Sequence, residues 1–209
     1  MDTSIPRDNF ERAYAEGSPP WVIGQSQPAL VELERAGHVS GSVLDPGCGT
    51  GENTILLAEL GYEVLGIDGS ETAVATARRK AAERGVPARF EVADAMNPGT
   101  SPRFDTVVDS ALLHVFGQRD RLAYTRGLHA VCRPGAVLHV LALADVQDAG
   151  GPRISAEALR DSFGPGWELE ELRQDRYRGI AGEQYAEQLG VRPEDAVDTA
   201  AWLARARRR

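Results

Sequence analysis

Lysine is almost missing from this chain of 209 residues: Lys80 is the only one, and every other basic side chain is arginine or histidine. That usage points to a GC-rich bacterial genome rather than to a function. Cysteine is nearly as scarce. Cys48 and Cys132 are the only two, and they read as reduced thiols of a cytoplasmic protein. No apolar run is long enough to cross a bilayer, so no segment reads as a membrane span. The start, Met1-Asp2-Thr3-Ser4-Ile5-Pro6, has neither a basic flank nor an apolar stretch and does not read as a signal peptide. Positive charge is in deficit, with a net charge of −8. That argues against a nucleic-acid substrate, which needs a basic face. No repeat or low-complexity tract appears, and no metal site is expected. What is there is an ordinary globular mixture, 42% hydrophobic and 26% charged. Its length suits one domain over residues 1–209.

The chain is organised around Val43–Gly51, V-L-D-P-G-C-G-T-G. Val43 and Leu44 end a short buried strand, Asp45 stands where it stops, and Gly47, Gly49 and Gly51 form a tight turn. The run T-G-E-N-T-I-L-L-A-E-L then sets Ile55, Leu56 and Leu60 at helical spacing. Glycines at alternate positions let a ligand approach the backbone closely, and N–H groups at the helix start can meet polar or anionic groups. Such a unit holds a nucleotide-like ligand. A dinucleotide fingerprint needs G-x-G-x-x-G, but Glu52 stands where its third glycine would fall. A second strand, Glu63–Ile67, ends in Asp68, placed to take ribose hydroxyls, with Gly69 next.

D-x-G-x-G-x-G followed by a strand-terminal acid resembles the S-adenosylmethionine site of the class I methyltransferases. Upstream, P-P-W-x-x-G-x-x-x-P ahead of D-P-G-C-G is similar to the thiopurine, thiol and halide methyltransferase superfamily and its small bacterial relatives, which methylate heterocyclic hydroxyls and thiols. The resemblance covers most of the chain to about residue 145. It implies S-adenosyl-L-methionine as cofactor and S-adenosyl-L-homocysteine as product, and it lays Trp21 over the cofactor. After the third strand, Ala88–Val92, it makes Asp94 the reader of the adenine amino group, with Ala95 beside it and Met96 packing the ring. Val22 stands where many relatives carry an acid, so no polar contact is carried over there.

Asn9–Gly17 reads as a short amphipathic helix, ended by Gly17 and by Ser18-Pro19-Pro20. A second helix runs from Ala29 to Ala36. Residues 1–40 are thus an N-terminal helical lid whose Tyr14 and Trp21 close the pocket, and 41–209 the Rossmann-like core. Ser70 reads as the N-cap of a helix from Glu71 to Arg84. Phe104–Asp109 is the fourth strand. A helical turn beginning at Ser110 would put Ser110 and His114 on one face, directed at the transferred methyl. Arg119–Val131 is a helix stopped by Cys132-Arg133-Pro134-Gly135. Ala136–Leu143 is an apolar strand of the kind buried on both faces of a parallel sheet. Ser155–Phe163 is a helix, Trp167–Leu172 the sixth strand and Ala201–Arg205 the last. Between them Gly179–Thr199 is polar, with a helix at Glu183–Leu189. Arg205, Arg207, Arg208 and Arg209 read as a solvated tail on an edge strand. The alternation gives an α/β fold, a three-layer sandwich on a mostly parallel sheet, and the resemblance implies the Rossmann-like, seven-stranded form whose last strand is antiparallel.

The first four strands end near Asp45, Asp68, Asp94 and Asp109, an acidic rim that suits a sulfonium with an ammonium-bearing tail and repels a pyrophosphate. Methyl transfer from a sulfonium is an in-line displacement, so holding the reactants together supplies roughly 7–11 kcal/mol of barrier reduction. A base matters only for an acceptor that keeps its proton at neutral pH, and His114 is placed to serve. The hydroxyls of Ser110 or Tyr14 would orient the acceptor. The function implied is O- or S-methylation of a small aromatic or heterocyclic metabolite, by a monomer or homodimer with no nucleic-acid or membrane partner. D-S-A-L-L-H lacks the Pro-Pro-aromatic signature of DNA-base and glutamine methyltransferases. A non-methylating cyclase or a cofactor-binding regulator on the same fold would share the turn and the lid.

Overall fold

The computed structural model describes residues 3–17, 19–146 and 151–209. Ser18, read as part of the break after the first helix, and the starting Met1-Asp2 lie outside the described residues. The strands are β1 Ser42–Pro46, β2 Glu63–Asp68, β3 Arg89–Val92, β4 Phe104–Ser110, β5 Cys132–Leu143, β6 Trp167–Ile180 and β7 Ala196–Arg208. They form one sheet in the order β3-β2-β1-β4-β5-β7-β6. Pairing is parallel from β3 through β5, and β7 runs antiparallel to both β5 and β6. The expected seven-stranded sheet with an antiparallel last strand is what forms.

The helices are α1 Arg7–Glu16, α2 Pro28–Arg35, α3 Glu52–Glu59, α4 Glu71–Glu83, α5 Gln118–Val131, α6 Ala156–Asp161 and α7 Glu183–Leu189. The alternation of side chains along a strand builds two apolar layers on the central strands. On one face Leu44, Val107, Leu138 and Val140 pack with Tyr124 and Leu128 of α5. On the other, Val43, Val108, Leu141 and Leu203 pack with Ala29, Leu30 and Leu33 of α2. Ser70 caps α4 by accepting the Ala73 N–H at 3.0 Å, and Ser155 caps α6 by accepting the Ala158 N–H at 3.1 Å.

Three expectations give way. Cys132-Arg133-Pro134-Gly135 is not a terminator followed by a strand but the start of β5 itself. The β4–β5 register shifts between Phe104 and Thr106, and this irregularity accommodates a proline that has no N–H to give the ladder. Second, β6 runs on to Ile180 and β7 begins at Ala196, so most of the polar stretch is a long hairpin with α7 at its tip. Charges that hid this hairpin from a hydrophobic pattern pair across it, Arg178 with Asp198 at 2.7 Å. Third, the arginine-rich end lies on an inner strand, not an edge. Arg205 pairs with Glu170 and Glu171, Arg207 with Glu170, and Arg209 with Glu168 of β6.

Candidate cofactor and acceptor site

The turn after β1 is tied to the next strand by two N–H groups, of Gly47 and Cys48, which donate to the Ile67 carbonyl at 2.7 and 3.0 Å. Gly47, Gly49 and Gly51 all hold positive φ, 70°, 54° and 88°. Their surroundings differ. A Cβ on Gly51 would lie 2.8 Å from both Ala77 and Phe90, so this position allows α4 and β3 to pack close. A Cβ on Gly49 would lie 2.7 Å from the Tyr14 hydroxyl, so here the turn lies directly against the N-terminal segment.

Asp68, at the end of β2, accepts the Gly49 N–H at 2.9 Å and the Ser70 N–H at 2.8 Å, one on each carboxylate oxygen. Each oxygen keeps a lone pair for a further donor. Burial raises its pKa, against the lowering effect of those two bonds. Asp94 is exposed, accepts the Met96 N–H at 2.9 Å, and presents a turn whose Ala95 and Met96 pack partly into the core beside α5.

Two of the four acids expected on the rim, Asp45 and Asp109, are buried deep in the core. Asp45 is 1% exposed, accepts the Thr54 hydroxyl at 2.6 Å, and is pushed up to about 7 by burial. Asp109 is 2% exposed and accepts the N–H groups of Leu112 and Leu113 and the Tyr124 hydroxyl, the last at 2.7 Å. Burial pushes it to about 6. Both carboxylates turn inward and shape the loops that follow their strands.

The helical turn expected from Ser110 does not form. Ser110 is the last residue of β4, Ala111 takes a φ of 68°, and a 3₁₀ turn begins only at Leu113. Asp109 causes this by capping the Leu112 and Leu113 N–H groups. Ser110 and His114 therefore do not share a face. Ser110 opens onto the cleft, whereas His114 is buried and takes the Leu143 N–H on Nδ1 at 3.4 Å. Burial, with Arg153 adding to it, lowers the His114 pKa to about 3, so the ring is neutral at ordinary pH.

The N-terminal segment closes over the turn. The Trp21 indole N–H donates to the Tyr14 hydroxyl at 2.8 Å, and Trp21 meets the Phe10 and Tyr14 rings edge-on, each at 5.9 Å. Burial first, then the neighbouring Asp68, raises the Tyr14 pKa, so its hydroxyl stays protonated. Polar contacts hold α1 in place. Ser4 binds Asp120, Arg7 binds the Gly69 carbonyl, and Glu11 accepts the hydroxyls of Ser70 and Thr72.

Between these parts lies a cleft of about 420 Å³, open to solvent, walled by Tyr14, Trp21, Gly49, Glu52, Ser110 and Tyr177. Tyr177 comes from β6 and went unseen in the sequence, because that part of the hairpin carries no apolar period. Gln27 was missed too. Its side-chain amide bonds both backbone groups of Arg178, at 2.8 and 3.0 Å, and its N–H reaches Asn53 at 3.1 Å. The Ile180 N–H donates to the Pro20 carbonyl at 2.7 Å. A strap from Pro20 to Gln27 is thereby stitched to the hairpin that supplies Tyr177. Glu52 is held by the Thr50 hydroxyl at 2.8 Å and by Lys80 at 2.5 Å.

These residues suit an adenosyl sulfonium. A side-chain-free backbone faces the cleft at Gly49, an acid with free lone pairs ends β2, and aromatic rings close the opposite wall. Among the described residues no cluster of His, Cys, Asp and Glu could hold a metal ion, and no helix is long and apolar enough to cross a membrane.

A methyltransferase domain matches residues 43–135. The 2-heptyl-1-hydroxyquinolin-4(1H)-one methyltransferase of Mycobacteroides abscessus is 34% identical, over 97% of this chain and 97% of its own. A solved structure from the conversion of a disulfide bond into a thioacetal group during echinomycin biosynthesis shares 41% identity, covers 97% of this chain and 91% of its own, and superposes with a TM-score of 0.86. Probable thiol methyltransferase 2 of Arabidopsis thaliana is 27% identical over 68% of this chain and 65% of its own. With the site's geometry, these likenesses place the chain in the class I S-adenosylmethionine-dependent methyltransferases that act on small molecules.

Proposed function

We propose that this enzyme moves a methyl group to an oxygen or sulfur of a flat aromatic or heterocyclic metabolite, an N-hydroxyquinolone or a thiol being the first acceptors to try. The observation that carries this reading is that the aromatic rings of Tyr14, Trp21 and Tyr177 line one cleft together with the Gly49 turn and Ser110. Asp68 receives the ribose hydroxyls, and Asp94, Ala95 and Met96 frame the adenine. Gly47, Gly49 and Gly69 let backbone lie close to the cofactor. Tyr14 and Trp21 cover the sulfonium end, and Ser110 orients the acceptor. The hydroxyquinolone that gives the Mycobacteroides abscessus relative its name supports the acceptor class.

S-adenosylmethionine, when held by these residues, would supply an activated methyl carbon for in-line transfer to the acceptor's lone pair, its sulfur keeping the electron pair of the broken bond. The residues around it align, exclude water and orient. The general-base role expected of His114 is not part of this proposal, because the ring is buried and too weakly basic to take a proton near neutrality. The acceptor must then arrive ionised or nearly so, as an N-hydroxyl, an acidic enol or a thiolate does. We take residues 1–209 as one domain with residues 1–40 as its lid, working in the cytoplasm as a monomer or homodimer. The net charge of −8 supports a partner other than nucleic acid.

Calorimetric titration with S-adenosylmethionine, S-adenosylhomocysteine and NAD tests the site. Both adenosyl ligands are expected to bind at micromolar levels and NAD not to bind. Asp68→Ala removes hydrogen bonds to a charged group worth about 1.5–3 kcal/mol each, so affinity should fall at least about tenfold. Mass spectrometry of hydroxyquinolones and thiols after turnover should then show the gain of one methyl. Binding of NAD alone, or recovery of every acceptor at unchanged mass, would refute the reading.

A further inference from the structure

The cofactor cleft carries charge at one point. Among the described residues that line it, Glu52 is the only carboxylate, and no arginine, lysine or histidine joins it. Glu52 opens α3, shortly after Gly49, whose N–H is held by Asp68. The glycine turn therefore leads from the acid expected at the ribose to the one acid in the cleft. Two groups fix the Glu52 side chain, which is 13% exposed. Its Oε1 accepts the ammonium of Lys80, the one lysine of the chain, at 2.5 Å. The Thr50 hydroxyl stands 2.8 Å from both carboxylate oxygens but has a single hydrogen to donate. Oε2 is thus left with a lone pair for a further donor. The charge also acts on the cleft: after burial, the Glu52 carboxylate is what raises the pKa of the Tyr177 hydroxyl. A carboxylate kept in a cleft lined by aromatic rings, where attraction is screened less than in water, selects for a cation.

S-adenosylmethionine and S-adenosylhomocysteine each carry an ammonium and a carboxylate on the amino-acid tail. We propose that Glu52 receives that ammonium on Oε2 and so sets the direction in which the tail lies. The inference rests on the cofactor site proposed above, with Asp68 at the ribose. Asn53, next in the chain, has its side-chain oxygen committed to the Gln27 N–H at 3.1 Å. What it has left to offer the cleft is its NH₂ group, a donor suited to the tail carboxylate. Lys80 is not among the residues lining the cleft, so it steadies Glu52 without offering the ligand a cation of its own.

Calorimetric titration of the whole protein with S-adenosylhomocysteine and two analogues, one lacking only the tail amino group and one lacking only the tail carboxyl, tests this. In wild type, loss of the amino group should weaken binding about tenfold or more, the effect of one hydrogen bond between charged groups. Glu52→Gln keeps the size of the side chain and removes its charge. It should weaken S-adenosylhomocysteine and the carboxyl-free analogue by a similar factor and leave the amino-free analogue unchanged. Lys80→Gln leaves the carboxylate in place, still held by Thr50, and removes the cation that shares its charge. The preference for amino-bearing ligands should then rise, a result that stands whether or not the Glu52 variant folds. A merely structural ion pair predicts instead that both variants lose affinity for all three ligands alike. That outcome, or a wild type that binds the amino-free analogue as tightly as S-adenosylhomocysteine, overturns the inference. If Asp68→Ala leaves binding untouched while Glu52→Gln abolishes the preference, the ribose assignment fails and the Glu52 inference stands. If Asp68→Ala weakens binding while the preference survives in Glu52→Gln, the reverse holds.

Discussion

Asp45 and Asp109 show how a single residue can look functional in sequence and serve structure instead. Each ends a central strand, and there the carboxylate finds nearer donors than any ligand: the Thr54 hydroxyl for Asp45, the Leu112 and Leu113 N–H groups and Tyr124 for Asp109. Burial raises both pKa values, to about 7 and about 6. The native state thus holds protons that the unfolded chain has already released. Stability from this source is full below about pH 4 and is lost as pH rises through those values. Asp45→Asn keeps an acceptor for Thr54 and removes the charge. Relative to wild type, the ligand-free variant should gain stability between pH 5 and pH 8. The gain should be on the order of a few kcal/mol, because each tenfold change in proton affinity is worth roughly 1.4 kcal/mol. Urea melts at the two pH values check it, and a stability difference that stays flat or falls would refute the burial argument. His114 and His139 act in the opposite direction, since their lowered values favour the native state as pH rises toward neutrality.

At the scale of elements, the two helices ahead of β1 are held in different ways. No residue of α1 is fully buried; besides the half-buried Phe10 and Tyr14 rings against Trp21, its anchors are polar groups that water can replace. By contrast α2 buries Ala29, Leu30 and Leu33 in the core. Between them, the Gln27 amide imitates a strand by bonding both backbone groups of Arg178. Gln27→Ala breaks both bonds, and at about 0.5–1.5 kcal/mol each it should cost about 1–3 kcal/mol. It should also weaken cofactor binding, because Trp21 and Tyr177 lose their common brace. Hydrogen exchange should show faster exchange of the Arg178 and Ile180 amides, with α5 unchanged. Retained protection at both amides would show that the strap is held by other contacts. The exposed Arg178–Asp198 pair on the same hairpin is worth under about 1 kcal/mol by comparison.

For the whole molecule, the cofactor cleft draws on residues from both ends of the chain, so ligand binding should report on global stability. Tyr14 and Trp21 lie before β1, Gly49 in the turn after β1, Ser110 at the end of β4, and Tyr177 on β6. A ligand that binds only the native arrangement stabilises it by about 2.7 kcal/mol at a hundred times its dissociation constant. S-adenosylhomocysteine at that excess should raise the thermal midpoint measurably in wild type and by about half as much or less in Asp68→Ala. Differential scanning calorimetry gives the comparison, and an equal rise in both proteins would place the ligand elsewhere than at Asp68.

The sequence by itself determined whatever depends on neighbours along the chain. The glycine turn, Asp68 at a strand end, the Ser70 cap and the apolar run of β5 are local, because backbone conformation and side-chain period are set within a few residues. Their alternation was enough to imply the mostly parallel sheet, and the methyltransferase resemblance implied its antiparallel last strand. Tertiary structure alone decided which way side chains face once the elements pack. It turned Asp45 and Asp109 inward and separated Ser110 from His114 through a capped loop. It extended a hairpin whose outward, charge-paired positions break up the apolar pattern, and so carried Tyr177 to the site. These are contacts between residues far apart in the chain, and burial and pairing at that distance leave no period in the sequence to read.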